Sequence, residues 1–412
     1  MGRALKYTIA IAGALLALTT ANARAEELVI WTRTNGPAED KALKQIFSEF
    51  EAANPGVTIK METRSVDEHK SALRIAAASK AGPDLYYMWA GLGLGGEFVK
   101  AGMSAPVDDY YAKYKWNERL RPLADAYTTL YPPNRHGVPY QLNGEAIYYN
   151  KELFKKAGIA QPPQSYDELL AAAGKLKQAG IPAFTFGGSV NWHVMRLMDV
   201  LLETKCGAKT HDALKAMTVK WNETACATDA FDEFHKWTSE YTLKPFMSYD
   251  QVQSRKLFEA NRAAMMLEGD WMPNQLRSET KAPQDFGVFA FPTGTDRLYG
   301  FGVNFYINPN GKKDLAAKLM DYFVSDKVQQ ANLGSFGPLG VNKNVVPKNP
   351  DDFDKAWFDL FDRYKASFVN GDQAFPLDVT TEYWRIINAV ATDTMEPGKA
   401  AAALQAFIDK RG

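Results

Sequence analysis

Cysteine is nearly absent from this chain of 412 residues, which carries only Cys206 and Cys226. Histidine is almost as sparse. His69, His136, His193, His211 and His235 are scattered, with neither HxxxH spacing nor cysteine partners, so no metal centre is expected. Charge of one sign is not in excess either, with 48 basic against 48 acidic side chains, and nucleic acid is not an expected partner. Beyond the N-terminus no segment approaches about 18 uncharged apolar residues, which excludes a membrane-spanning helix from the body of the chain. No internal repeat, low-complexity tract or GxSxG nucleophile motif occurs. The one glycine-rich loop, GLGLGGE, places Gly91, Gly93 and Gly96 at dinucleotide-binding spacing. The acid that should follow about 20 positions on is missing, because Asp108 and Asp109 come too early. No cofactor is therefore expected, and these glycines read as residues that let a loop approach a ligand.

What is present begins with a leader. Arg3 and Lys6 precede an apolar run over residues 8–18, and Ala23-Arg24-Ala25 has the small-residue form of a cleavage site. Residues 1–25 are thus expected to be removed as a signal peptide. A lipid anchor would need a cysteine at that site, so the mature chain is expected free in the periplasm. Cleavage takes away Arg3, Lys6 and Arg24 and no acid, leaving 45 bases against 48 acids. The mature length exceeds what one core usually supports, which predicts two lobes. In an oxidising compartment Cys206 and Cys226 are expected to pair; two separate buried thiols are the alternative, which export disfavours.

Strands and helices alternate from the start. Residues 28–31 form an apolar strand; Leu43, Ile46, Phe47 and Phe50 repeat at helical spacing; Val57, Ile59 and Met61 alternate as a strand. A second helix over 67–79 leads to the strand 85–88, giving β-α-β-α-β, the start of a doubly wound sheet. Ser165-Tyr166-Asp167-Glu168 has the form of a capping box and opens a further helix. Strands are expected at 181–186, 263–267, 286–291 and 301–307, and a terminal helix carries Ala400, Leu404, Phe407 and Ile408 on one face.

Open α/β sheets bind ligands at the carboxyl ends of their strands. Trp89, Trp192 and Trp271 each follow an apolar strand, so each is a candidate for a binding face, with lobe core or rim as the competing reading. Asp270 beside Trp271 offers a carboxylate. Trp31 is assigned to core.

Seven segments in order carry a resemblance that covers essentially the whole mature chain. They are NPGV (54–57), PDLYYMW (83–89), GVPYQLNGEAIYYNKELFKKAGI (137–159), PPQSYDELL (162–170), AAMMLEGDW (263–271), GFGVNFYINPN (300–310) and FGPLGVN (336–342). In these the chain resembles extracellular solute-binding proteins serving sugar importers of the ATP-binding-cassette class, the family that includes maltose-binding protein. The resemblance implies the type II periplasmic binding fold: two α/β lobes joined by three hinge crossings, near Asn143, 300–303 and 338–341. Lobe one would hold 26–142 plus 302–338, and lobe two 143–301 plus 339–412. It further implies a monomer that binds a mono- or oligosaccharide between closing lobes and delivers it to a membrane permease. Trp271 would be the stacking platform with Asp270 as its polar neighbour. Asn143 or Glu145 and Gly302 would come from the crossings, while Arg33, Asp378 and Trp384 are further ligand candidates. A secreted glycoside hydrolase using Asp270 with Glu145 or Asp378 is the alternative, since two carboxyl groups could serve as its acid and base.

Overall fold

The computed structural model describes residues 26–34, 36–364 and 366–411; the expected leader lies outside the described residues. Strand β1 (Glu26–Arg33) pairs in parallel with β2 (Val57–Arg64) and with β3 (Leu85–Trp89). The helices between them, Pro37–Ala53 and Val66–Ser79, form for local reasons. The first buries Leu43, Ile46, Phe47 and Phe50, one apolar stripe at helical spacing. The second starts where Glu68 reaches back to accept the backbone N–H of Ser65 at 3.0 Å.

Five further strands complete one 8-stranded sheet: β4 (Val138–Asn150), β5 (Met265–Gly269), β6 (Phe286–Phe289), β7 (Arg297–Ile307) and β8 (Ala366–Phe368). The order is β2-β1-β3-β7-β4-β5, with β6 also on β4 and β8 on β7. β7 runs antiparallel to both β3 and β4. The first half of β4 pairs with β7 and its second half with β5 and β6. At about 3.3 Å per residue, the 13 residues of β4 reach ~40 Å, enough to pass from one lobe into the next.

Two separate principal cores lie along this sheet. One contains Leu28, Ile30, Tyr87, Tyr140, Phe305 and Val341. The other contains Ile147, Phe184, Leu197, Trp237, Leu267 and Leu404. Smaller clusters fill the opposite sheet faces, around Tyr86, Phe98 and Tyr306 in the first lobe and around Tyr148, Met266 and Trp357 in the second. Each lobe is thus a sheet covered on both faces, the two-lobed α/β architecture of type II.

Some local expectations differ. Residues 181–186 make no continuous strand: Phe184 forms single bridges to Thr242 and Met265. The backbone N–H groups of Ala183 and Phe184 both go to the carbonyl of Tyr241, which interrupts the ladder. Trp31 lies at the margin of the core around Tyr86 and Tyr306, partly exposed, with the Arg64 guanidinium 4.1 Å from its ring centre. Among the described residues no helix is long and apolar enough to cross a membrane.

Cys206 and Cys226 are joined, 20 positions apart, linking the helix Asn191–Lys215 to the helix Ala225–Lys236. Thiol titration of the denatured, unreduced protein is expected to find no free cysteine. Reduction should lower unfolding stability on the order of 3 kcal/mol, the loop-closure entropy the cross-link removes from the unfolded chain.

Candidate functional site

The two lobes meet along a seam that glycine makes possible. Gly93 donates its N–H to the carbonyl of Gln373 at 2.8 Å, joining the loop after β3 to the segment 370–375 of the second lobe. A Cβ on Gly93 would lie 1.8 Å from the Phe375 carbonyl oxygen, and one on Gly91 would lie 2.5 Å from that of Gln373. The glycine-rich loop therefore approaches the opposite lobe's backbone. Further along, Tyr127 lies flat on Gly302, whose Cβ would sit 2.4 Å from its ring, and its hydroxyl meets Ser367 at 2.6 Å.

On the second-lobe side, Trp192, Arg196, Asp199 and Glu203 recur at spacings of four, three and four on the helix Asn191–Lys215 and so share one face. Arg196, 3% exposed, lies between two tryptophans, its guanidinium carbon 4.8 Å from the Trp192 ring and 5.4 Å from that of Trp271. Its Nε is 2.6 Å from Glu145 Oε1, and its Nη1 donates to Glu268 Oε2 at 2.9 Å. The two carboxylates diverge although they share this cation. Burial pushes Glu145 up to about 8, with Arg196 opposing. Glu268 is buried as deeply, yet Arg196, His193, the Gln251 amide and the Gly269 N–H together hold it below the usual carboxylate range. Glu145 has no such donors: its Oε2 is buried without a partner.

From the first lobe comes Trp89, edge-on to Tyr87 at 5.0 Å, with the Lys70 ammonium 5.0 Å from its ring centre. Lys70 is also the strongest charge opposing the rise that burial imposes on Asp372, and Glu145 feels Asp372 in turn. Asp372 Oδ1 is buried and unpartnered. Its segment is fixed by buried Asp199, which accepts the Gly371 N–H at 2.8 Å and the hydroxyls of Tyr299 and Tyr383 at 3.1 and 3.0 Å, and pairs with Lys215. Trp89 and Lys70 thus stand together on the first-lobe side, while Arg196 on the second-lobe side lies between Trp192 and Trp271, whose ring is 6.0 Å from that of Phe301.

Several expected site residues lie elsewhere. Asp270 is 2% exposed; its Oδ1 accepts from Asn143 Nδ2 at 2.8 Å and its Oδ2 from the Gly144 N–H at 3.3 Å, so Asp270 and Asn143 tie β5 to the crossing strand instead of facing a ligand. Gly302 serves Tyr127. Arg33 is engaged within its own lobe, donating to the Tyr87 hydroxyl at 2.9 Å and sitting 3.6 Å from Glu39. Asp378 is exposed and bonded to Arg411 at 2.5 Å, held by the C-terminal end of the chain. Trp384 packs on the second core, its Nε1 3.1 Å from the Met195 sulfur. The hydrolase pair of Asp270 with Asp378 is therefore not assembled, and Glu145 is tied to Arg196. Sequence reasoning missed Arg196, Lys70, Tyr127 and Asp372; only Arg196 left a signal, as a charge inside the apolar run VMRLMDVLL.

Glu145 near 8 and Asp270 near 7, both raised chiefly by burial, give a pH dependence. Above the ordinary carboxylate range of about 4 the folded state holds protons that the unfolded chain has released, so stability falls as pH rises toward 8. Buried His69 and His193, lowered to about 4, act oppositely, but only below their unfolded value of about 6.5. The melting temperature of ligand-free protein should therefore fall between about pH 6.5 and 8, less so in Glu145→Gln. Scanning calorimetry showing a flat or rising profile in wild type would contradict this.

Fold and seam together define a protein of two α/β lobes that meet along one seam. The sequence model of the bacterial extracellular solute-binding protein family matches residues 34–330. This chain belongs to that family. It is 22% identical over 402 residues to an "Uncharacterized ABC transporter extracellular-binding protein" of Pyrococcus horikoshii, covering 95% of this chain and 85% of that one. It is 24% identical to the "Multiple sugar-binding protein" of Streptococcus mutans, over 64% of this chain and 62% of that one. Among solved structures, a "Chitin oligosaccharide binding protein" superposes with a TM-score of 0.84 at 20% identity, over 94% of this chain and 98% of the other.

Proposed function

We propose that this protein is the exported receptor of an ABC importer, capturing a mono- or oligosaccharide between its lobes and handing it to the membrane permease. Residues 26–142 plus 302–338 form one lobe and 143–301 plus 339–412 the other, and closure turns about the crossings near Asn143, 300–303 and 338–341. Residues 1–25 direct export to the periplasm, where the mature chain acts as a monomer without a cofactor.

One observation carries this reading. Partly exposed tryptophans occur on both sides of the seam, Trp89 and Trp271 against the first core and Trp192 against the second, and the buried oxygens Glu145 Oε2 and Asp372 Oδ1 have no hydrogen-bond partner. A sugar offers flat C–H faces to aromatic rings and hydroxyl edges to planar acceptors, and few other solutes need both. The sugar-binding names of the Streptococcus relative and of the chitin oligosaccharide receptor point the same way.

The test is calorimetric titration with neutral mono- and oligosaccharides, followed by recovery of the ligand from the denatured complex. At least one sugar should bind and return unaltered. Trp192→Ala and Trp89→Ala should each weaken that sugar by tenfold or more, the loss of an aromatic anchor worth about 1.4 kcal/mol at least, with little change in ligand-free melting temperature. Shortened products would favour the hydrolase, and unchanged affinity with a lowered melting temperature would return these rings to the core.

A further inference from the structure

One cation holds rings that belong to different cores. Arg196 stands one turn after Trp192 on the helix Asn191–Lys215. Its guanidinium carbon lies 4.8 Å from the centre of the Trp192 ring and 5.4 Å from that of Trp271. Trp192 packs against the second core and Trp271 against the first, where Phe301 meets its ring at 6.0 Å. Both indoles are partly exposed, whereas Arg196 is 3% exposed. The rings are therefore open to a ligand and the cation between them is nearly covered.

The guanidinium is itself fixed by the sheet. Its Nη1 donates to Glu268 Oε2 at 2.9 Å and to the Leu267 carbonyl at 3.4 Å, and its Nε stands 2.6 Å from Glu145 Oε1. Glu268 is held in turn by the Gln251 amide at 2.7 Å and the Gly269 N–H at 3.1 Å. These carboxyl groups come from β4 and β5, which pair with Ala146 opposite Glu268. Trp271 is confined from another side, because its ring covers Gly269, where a Cβ would come 2.1 Å from the ring carbons. A guanidinium suits this place: it spreads several N–H donors around a flat, weakly hydrated cation that also rests against aromatic rings. The ammonium of lysine is a compact point charge and cannot hold two carboxyl groups and two rings at once.

Resting on the sugar-receptor reading above, we infer that Arg196 is the positioning residue of the seam: it sets where the Trp192 and Trp271 rings stand relative to one another, and so which sugar faces they cover together. It acts through the rings and need not touch the sugar.

The experiment is a double-mutant cycle by calorimetry, on the neutral sugar that titration of wild type identifies as bound, with Arg196→Lys, Trp192→Ala and both together. Lysine keeps the charge and loses the planar group. Alone, Arg196→Lys should weaken that sugar about tenfold or more; beside Trp192→Ala it should weaken it about threefold at most, because one of the two rings it positions is gone. A residue that only supports the fold would cost the same in both backgrounds. The ligand-free readout is near-ultraviolet circular dichroism. The difference spectrum between Trp192 and Trp192→Phe proteins reports this indole's surroundings, and its amplitude should fall by about half or more when residue 196 is lysine, as the ring loses its fixed partner. Should Arg196→Lys not fold, Glu268→Gln, which keeps the cation and weakens its anchor, enters the same cycle and the same difference spectrum, with a loss of about threefold alone and none beside Trp192→Ala. Equal losses in the two backgrounds, wild-type affinity in Arg196→Lys, or an unchanged Trp192 difference spectrum each overturn the inference. If wild type binds no sugar, it is the receptor reading that fails, and the difference spectrum still decides the role of Arg196.

Discussion

Gly93→Ala is expected to abolish tight ligand capture while leaving the ligand-free protein folded. The added methyl would stand 1.8 Å from the Phe375 carbonyl and 2.8 Å from that of Asp372. Both obstacles are backbone, so no rotamer change relieves the overlap. Gly93 itself shows no left-handed backbone angle, so alanine meets no conformational strain there apart from this contact. The substitution acts on the closed arrangement and not on the separate lobes. Because apparent affinity scales with the fraction of molecules able to close, we expect a loss of about a hundredfold or more. Calorimetry would measure it. Affinity within a few-fold of wild type would mean that the loop after β3 and the segment 370–375 need not meet for binding.

The second large effect is on stability. Arg196→Met should cost about 3–5 kcal/mol, because it leaves the fully buried Glu268 carboxylate without its guanidinium partner and removes the Glu145 contact as well. Adding Glu145→Gln and Glu268→Gln to the same chain should recover part of the loss, since neutral amides no longer need a counter-charge. Urea unfolding of the single and triple variants measures both. A loss under about 1 kcal/mol for the single variant would show that water already reaches the pair.

How far the sequence disclosed this arrangement follows from the physics of each element. The opening β-α-β-α-β pattern was readable because one-sided burial writes a period into the residues, as at Leu43, Ile46, Phe47 and Phe50. Trp89 and Trp271 stand just at or past the ends of β3 and β5, where the sequence pattern expected them, whereas Trp192 opens the helix Asn191–Lys215 with no continuous strand before it. The reading of Asp270 failed as well. Asp270 lies just past the end of β5, and its carboxylate is taken up by Asn143 and Gly144 of β4, partners 127 and 126 positions away that no local pattern reveals.

Arg196 was passed over because charges in a helix are ordinarily solvated. Here the spacing 192, 196, 199 and 203 is itself the signature of a buried polar stripe, written over an apolar helix that leaves no solvent face at those turns. Asp372 and Tyr127 left no signal at all. They sit in non-periodic segments, and their relation to Lys70 and Ser367 spans about 300 and 240 positions of chain. Contacts made only when two lobes meet are not encoded in any local pattern.

The binding of a sugar between moving lobes is tested most directly by small-angle X-ray scattering of the mature protein, alone and saturated with a sugar whose binding calorimetry has established. Contacts from both sides of the seam should draw the lobes together, so the radius of gyration should fall on saturation in wild type and stay constant in Gly93→Ala. Superimposable wild-type curves with and without saturating sugar would contradict a ligand held by closure across this seam.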